Sequence, residues 1–266
     1  RVRDIVDFEN PKGIIVSMGG QVANNLAFSL AKFDYPILGT PPESIDNAED
    51  RARFSSLLND LNIDQPEWAC LESIEQAAKF ADIVGYPVLI RPSYVLSGAA
   101  MNVVYDVVEL ARYLKQASKV SPDYPVVISK FIEDAKELEI DGVASGGEIV
   151  IHAISEHVEN AGVHSGDATI VLPPQNLYLE TIRRTKKITQ KIVKALKITG
   201  PFNIQFIAKN NEIRVIECNL RASRSFPFVS KVTKYNFVAI ATEVIMGVHQ
   251  QQAYETLELE YVGVTT

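Results

Sequence analysis

Two alternating stretches lying close together, Phe202-Asn-Ile-Gln-Phe-Ile207 and Ile213-Arg-Val-Ile-Glu217, constrain this chain to a β-hairpin with one apolar face and one polar face. The second stretch runs on through Cys218, Asn219, Leu220 and Arg221 to Arg224, so an amide, a carboxylate, a second amide and two guanidinium groups crowd one short region. Register decides whether they meet. A two-residue turn at Asn210-Asn211 pairs Gln205 with Ile216 and sends Glu217 to the opposite face, whereas a three-residue loop ending at Glu212 pairs Gln205 with Glu217. The longer loop is the expectation, because it places Gln205, Glu217 and Asn219 on one side.

A chain of 266 residues with 47% hydrophobic content buries roughly three quarters of its unfolded surface, enough for one large domain or two to three small ones. A net charge of -7 and a pI near 5.2 leave no broad basic face for nucleic acid or an anionic membrane. The first residues, Arg1-Val-Arg-Asp-Ile-Val-Asp-Phe-Glu9, form no apolar signal core, and no stretch is long enough to span a bilayer. The expectation is a soluble, intracellular protein of the cytoplasm. Cys70 and Cys218 stand apart from each other and from any His at ligand spacing, so both are expected reduced and packed.

Along the chain, Ile14 to Met18, Gly19-Gly-Gln21, a helical pattern over Val22 to Phe33 and the short Tyr35 to Leu38 read as strand, helix, strand of an α/β unit. Its glycine pair reads as packing rather than as a phosphate loop. Phe54, Leu57, Leu58 and Leu61 mark one face of a helix over Asn47 to Leu61, capped by Asp46 or Asn47. A compact α+β unit follows, with a helix over Ile74 to Val84 and strands over Pro87 to Ile90, Met101 to Tyr105 and Val126 to Phe131. A loop over Ser93 to Ala99 and a helix over Val107 to Ala117 complete it. Glu137 to Ala144 and Glu148 to His157 flank Ser145-Gly-Gly147 as a hairpin, a long amphipathic helix spans Leu177 to Leu196, and Leu257 to Val262 reads as a last strand.

One carboxylate, Glu217, flanked by the neutral oxygens of Gln205 and Asn219, matches what magnesium takes from a protein when substrate phosphates supply the other ligands. Arg221 and Arg224, in a loop of small residues, suit bidentate binding of a planar anion. Arg91, Ser93, Ser97 and Gly98 leave a buried strand with amides and hydroxyls for phosphate oxygens, yet no P-loop follows. Glu137, Glu139 and Asp141 alternate onto one face and read as a solvated acidic stripe. The loop from Glu156 to Asp167, with His164 and Ser165, is built to approach a ligand.

Four segments carry a family resemblance. They are Arg91-Pro-Ser-Tyr-Val-Leu-Ser-Gly98 with Ala100-Met-Asn102, Ser155 to Asp167, Gly200-Pro-Phe-Asn-Ile-Gln205, and Ile216 to Lys231. Over nearly its whole length the chain resembles the carbamoyl phosphate synthetase large subunit, in its second, carbamate-phosphorylating half. The resemblance implies a fold of α/β and α+β class, an ATP-grasp fold preceded by a partial Rossmann-like (pre-ATP-grasp) α/β segment. Residues 1–42 would end that segment, 43–132 would form a linker helix and lid, 133–248 the metal- and substrate-binding part, and 249–266 a tail.

It further implies phosphoryl transfer from ATP to carbamate, with magnesium or manganese. Arg51 and Arg91 would contact phosphates, Lys130, Phe131 and Ile132 line the adenine edge, and Glu137 hold the ribose. His164, Ser165 and Gly166 would lie over the nucleotide. Gln205, Glu217 and Asn219 would bind the metal, and Arg221 and Arg224, with Asn219, would face carbamate. Leu220, where bacterial relatives often have proline, and Ala99, where many have arginine, resemble the eukaryotic fused enzymes of the pyrimidine or urea-cycle type, the latter mitochondrial. A glutaminase and a first ATP-grasp half would be partners in the complete enzyme, and a homodimer is a further expectation. The competing readings are a silent nucleotide-binding fragment and another ATP-grasp ligase with a carboxylate acceptor.

Overall fold

The computed structural model describes residues 1–71, 73–92, 101–120, 126–163, 167–250 and 252–266. The chain opens with helix α1 (Val2–Glu9), followed by a single parallel bridge between Ile14 and Ile37. Between those bridge residues lie two short helices, α2 (Gly20–Asn24) and α3 (Ala27–Ala31), in place of the one helix expected over Val22 to Phe33. A Cβ on Gly19 would stand 2.5 Å from that of Ala23, so close packing accounts for this glycine, as its sequence context suggested. The expected helix over Asn47 to Leu61 is also two. These are α4 (Pro42–Glu49) and α5 (Arg51–Asp60), because extended Asp50 breaks the run and caps α5 through the Arg53 amide at 2.9 Å.

The next unit is a four-stranded antiparallel sheet backed by two helices. It contains β1 (Trp68–Leu71), α6 (Ile74–Val84), β2 (Val88–Pro92), β3 (Asn102–Val104), α7 (Val107–Val120) and β4 (Val126–Lys130), in strand order β1-β4-β2-β3. Strand β1 was not legible in the sequence, since Trp68-Ala-Cys-Leu71 is too short to show a period. Ala77, Ala81, Leu110 and Leu114 from the helices seal Val88, Ile90, Val104 and Ile128 into an apolar core.

The second sheet has six strands in the order β10-β7-β6-β5-β8-β9. Its members are β5 (Lys136–Ser145), β6 (Glu148–Asn160), β7 (Ile170–Leu172), β8 (Gly200–Lys209), β9 (Glu212–Asn219) and β10 (Gly263–Thr265). Gly146 and Gly147, both at positive φ, turn β5 into β6. Helix α8 (Leu179–Ala195) buries Thr181, Thr185, Thr189, Ile192 and Val193 against one face, a stripe at helical spacing. Helices α9 (Phe226–Thr233) and α10 (Phe237–Ile245) pack a further cluster around Phe226 and Phe237. The last strand lies at Gly263–Thr265 rather than over Leu257 to Val262, and it pairs with β7, so residues beyond 248 return to this sheet.

The β8–β9 hairpin overturns the reasoning about its turn while keeping the pairing. The turn is the two-residue form, with Lys209 opposite Glu212 and both Asn210 and Asn211 at positive φ. A β-bulge then intervenes, for Phe206 faces Val215 but Gln205 faces Glu217, leaving Ile216 unpaired. That extra residue reverses the alternation. Ile213 and Val215 point into the core before it, and Cys218 and Leu220 after it, so Glu217 and Asn219 take the other face. Adjacent apolar residues at Val215-Ile216 were the sequence sign of this slip.

Candidate active site

Three strands of the large sheet present two polar rows on the face away from α8. Glu139, Gln205 and Glu217 are register partners in one row, and Asp141, Asn203 and Asn219 in the next. The rows are tied by hydrogen bonds. Asn203 donates to Glu139 and to Asp141 at 2.9 Å each, Gln205 reaches Glu139 at 3.5 Å, and Asn219 donates to Glu217 at 2.9 Å. Glu137, Glu139 and Asp141 are buried, at 7%, 3% and 0% exposure, which corrects the reading of a solvated stripe. Alternation put them on one face as expected; tertiary packing covered that face.

Buried carboxylates without compensation are costly, and here each has partners. His157 sits 3.0 Å from Glu139 and 3.9 Å from Glu137. Burial opposes its charge, but the hydrogen bond it donates to Glu139 and the two carboxylates lift its pKa above the ordinary value. Burial pushes Glu137 up to about 7, with His157 and the Gly162 amide opposing and Glu139 and Glu217 adding. Asp141 is pushed up to about 6 by burial and by Glu139, although Ser223 and Ser225 each donate to it at 2.5 Å. Those two serines fasten the loop that carries Arg221 and Arg224.

The rows floor a cavity of about 1640 Å³ whose other wall comes from the four-stranded sheet. Leu89, Arg91, Val103, Val127 and Cys70 line that wall. Cys70 is therefore exposed rather than packed, whereas Cys218 is buried beneath the ladder, and both are free thiols as expected. Lys130, Phe131, Ile132 and Glu137 lie along the cavity as well, together with Arg221 and Arg224. The Lys130 ammonium donates to the carbonyls of Gly85 and Tyr86 at 3.0 and 2.9 Å. Gly162 lies 3.0 Å from the Phe131 ring, measured from where its Cβ would stand. His164, Ser165, Gly166 and the loop over Ser93 to Ala99 lie outside the described residues.

Arg51, at the start of α5, donates to the carbonyl of bulged Ile216 at 2.7 Å and lies 5.3 Å over the Trp68 ring. Burial, then the nearby Arg91, lowers its pKa to about 10. The arginine thus joins the first turn of α5, the four-stranded sheet and the bulge. Arg221 donates to Gln21 at 2.8 Å and to Asn219 at 3.3 Å, while Arg224 has no hydrogen bond or ion pair among the described residues. The residues that sequence reasoning missed were Gln21, Asn24, Glu49, Asn203, Ser223 and Ser225. Gln21 and Asn24 come from the first forty residues, and no local pattern ties them to a hairpin near position 210.

The polar rows fit a hard divalent cation by their donor chemistry. Gln205, Glu217 and Asn219 offer one carboxylate and two amides on one face, a set that leaves room for phosphate oxygens. Among the described residues no cluster of three or more His, Cys, Asp or Glu is arranged to enclose a metal ion by itself.

The family model for the carbamoyl-phosphate synthase L chain ATP-binding domain matches residues 50–253, and that for the carbamoyl phosphate synthase preATP-grasp domain matches residues 1–47. The chain belongs to the carbamoyl-phosphate synthase large-chain family. It is 59% identical over 265 residues to the multifunctional protein URA2 of Saccharomyces cerevisiae, covering 99% of this chain and 12% of that protein. It is 55% identical over 253 residues to the mitochondrial, arginine-specific carbamoyl phosphate synthase large chain of Schizosaccharomyces pombe, covering 92% and 22%. The chain therefore spans about an eighth to a fifth of the length of these relatives. The biotin carboxylase domain of Hydrogenobacter thermophilus 2-oxoglutarate carboxylase superposes with a TM-score of 0.83 at 19% identity, over 99% of this chain and 60% of that one. That likeness establishes the ATP-grasp fold. Among the described residues no helix is long and apolar enough to cross a membrane.

Proposed function

We propose that this chain is the carbamate-phosphorylating ATP-grasp unit of a carbamoyl-phosphate synthase, forming carbamoyl phosphate and ADP from ATP and carbamate. The observation that carries the reading is the convergence of Gln205, Glu217 and Asn219 beside Arg221 and Arg224 on the floor of one cavity. A carbamate oxygen attacks the γ-phosphorus in line, the bond to the β–γ bridging oxygen breaks, and ADP leaves with the electron pair. Such a transfer needs placement and charge neutralisation rather than a protein nucleophile.

In this reading Arg221 and Arg224 hold the carbamate, and Arg91 meets phosphate oxygens from the opposite wall. Arg51 stands behind them, fixing the bulge and adding positive potential. Phe131 and Ile132 supply the apolar edge for adenine, and Glu137 accepts from ribose hydroxyls. Gln205, Glu217 and Asn219 hold magnesium, or manganese with the same donors, and the bound ion supplies charge neutralisation at the phosphate oxygens. The relatives' names favour a place in a larger polypeptide; a glutaminase and a first ATP-grasp half are the neighbours that the proposed reaction calls for. The setting in this proposal is cytoplasmic, and the arginine-specific large chain named as mitochondrial favours a mitochondrial one for that type.

Incubation of the chain with ADP, magnesium and carbamoyl phosphate tests the proposal. ATP should appear in proportion to carbamoyl phosphate consumed. Nucleotide binding with no ATP formed would leave only a binding module, and ATP formation from acetyl phosphate at an equal rate would sink carbamate as the acceptor.

A further inference from the structure

We propose that Gln21, in the segment that precedes both sheets, is a positioning residue that sets the Arg221 guanidinium toward the acceptor anion, with Glu49 fixing the sense of its amide. The inference rests on the reading of Arg221 as acceptor-facing. Gln21 Nε2 donates to Glu49 Oε2 at 2.6 Å and to Asn25 Oδ1 at 2.8 Å, while Gln21 Oε1 accepts from Arg221 Nε at 2.8 Å. A carboxylate only accepts and a guanidinium only donates, so these partners dictate which way the amide lies. The other Glu49 oxygen accepts from Asn24 at 2.9 Å, and Asn24 is 0% exposed.

The same loop is docked by its backbone, for the Ala222 amide donates to the Ser17 carbonyl at 2.9 Å. Arg221 therefore meets the N-terminal segment through its Nε edge. Among the described residues its terminal nitrogens make only the longer bonds to Ala222 O at 3.2 Å and Asn219 Oδ1 at 3.3 Å. A guanidinium has five N–H groups, so two remain for a planar anion in the cavity that Gln21, Glu49 and Arg221 all line. An acceptor held at Nε fixes the guanidinium plane while leaving those two N–H groups to the acceptor anion.

Steady-state kinetics of ATP formation from ADP and carbamoyl phosphate give the test, with calorimetric titration of carbamoyl phosphate into the MgADP-loaded chain as a readout that needs no turnover. Gln21→Met should raise the KM and Kd for carbamoyl phosphate about tenfold, the loss of one hydrogen bond to a charged group, and leave the KM for ADP within about twofold. Gln21→Glu with Glu49→Gln exchanges the two groups and keeps a donor facing an acceptor between positions 21 and 49 and between position 21 and Arg221, at the loss of the contact with Asn25. That pair should bring carbamoyl phosphate affinity back to within about threefold of the parent, whereas Glu49→Gln alone should not. A Gln21→Met chain with unchanged carbamoyl phosphate affinity, or equal losses for both substrates, overturns the inference, as does an exchange that restores nothing. A parent chain that neither turns over nor binds carbamoyl phosphate sinks the functional reading itself and the inference with it.

Discussion

The two sheets face each other across one cavity, yet they are built on opposite principles. The four-stranded sheet is stabilised by a plain apolar core against α6 and α7, and among the side chains described on its cavity wall Arg91 and, at the end of β4, Lys130 carry the charge. The six-stranded sheet puts apolar residues against α8 and spends its other face on Glu137, Glu139, Asp141, Asn203, Gln205, Glu217 and Asn219, several of them almost wholly buried. A sheet that serves only as a wall can be assembled from aliphatic residues of tolerant shape. One that presents a ladder of acceptors must hold every donor in register, because a buried carboxylate that loses a partner costs several kcal/mol. The difference locates rigidity in the large sheet.

The largest expected effect strikes the apolar support under that ladder. Phe206→Ala should lower unfolding free energy by about 3–5 kcal/mol in denaturant titration, since Phe206 is 0% exposed and its neighbour Gln205 carries the polar row. A loss under 1 kcal/mol would show the large sheet to be as forgiving as a loose surface. Next comes Glu217→Ala, which should reduce ATP formation on the order of 100-fold while leaving the melting temperature within a few degrees. Equal rates for parent and variant would remove Glu217 from the site.

The burial of Glu137 predicts a pH effect. A carboxyl whose folded pKa is about 7 instead of 4.5 contributes stability that is present below about 4.5 and lost as pH rises through 7. Glu137→Gln should accordingly be more stable than the parent above pH 7, by on the order of 2 kcal/mol, and the two melting curves should converge as pH falls toward 4.5. Divergence in the other direction would mean that the ionised form is the favoured one in the fold. The smallest effect belongs to the turn. Asn210→Ala places a Cβ without the Asn side chain's local hydrogen-bonding capacity at φ 52° and should cost about 1 kcal/mol, with ATP formation unchanged because the bulge at Ile216 still sets the Gln205–Glu217 pairing.

Much of this architecture was legible before any coordinates. Helix α6 spans the residues its period marks, the large helix before the hairpin is where its apolar stripe lies, and the family segments point to the ATP-grasp fold. Strand β1 and the helix break at Asp50 were not, because four residues carry no period and an N-cap in the middle of an apolar stripe looks like part of one helix. The pairing of Gln205 with Glu217 was expected for the wrong reason. A longer turn and a bulge produce the same pairing, and only the latter explains why Val215 and Ile216 stand side by side.

By itself, the sequence determined which residues alternate, which helices are amphipathic and which residue types could meet a phosphate or a cation, since these follow from periods of two and 3.6 along a local stretch. It did not determine that Glu139 and Asp141 would be buried, that Arg51 would brace a bulge 165 positions away, or that Gln21 would stand between Glu49 and Arg221. Those outcomes depend on what covers a face rather than on which face a residue takes. Coverage is settled only when segments far apart in the chain pack together and each buried polar atom must find its partner there.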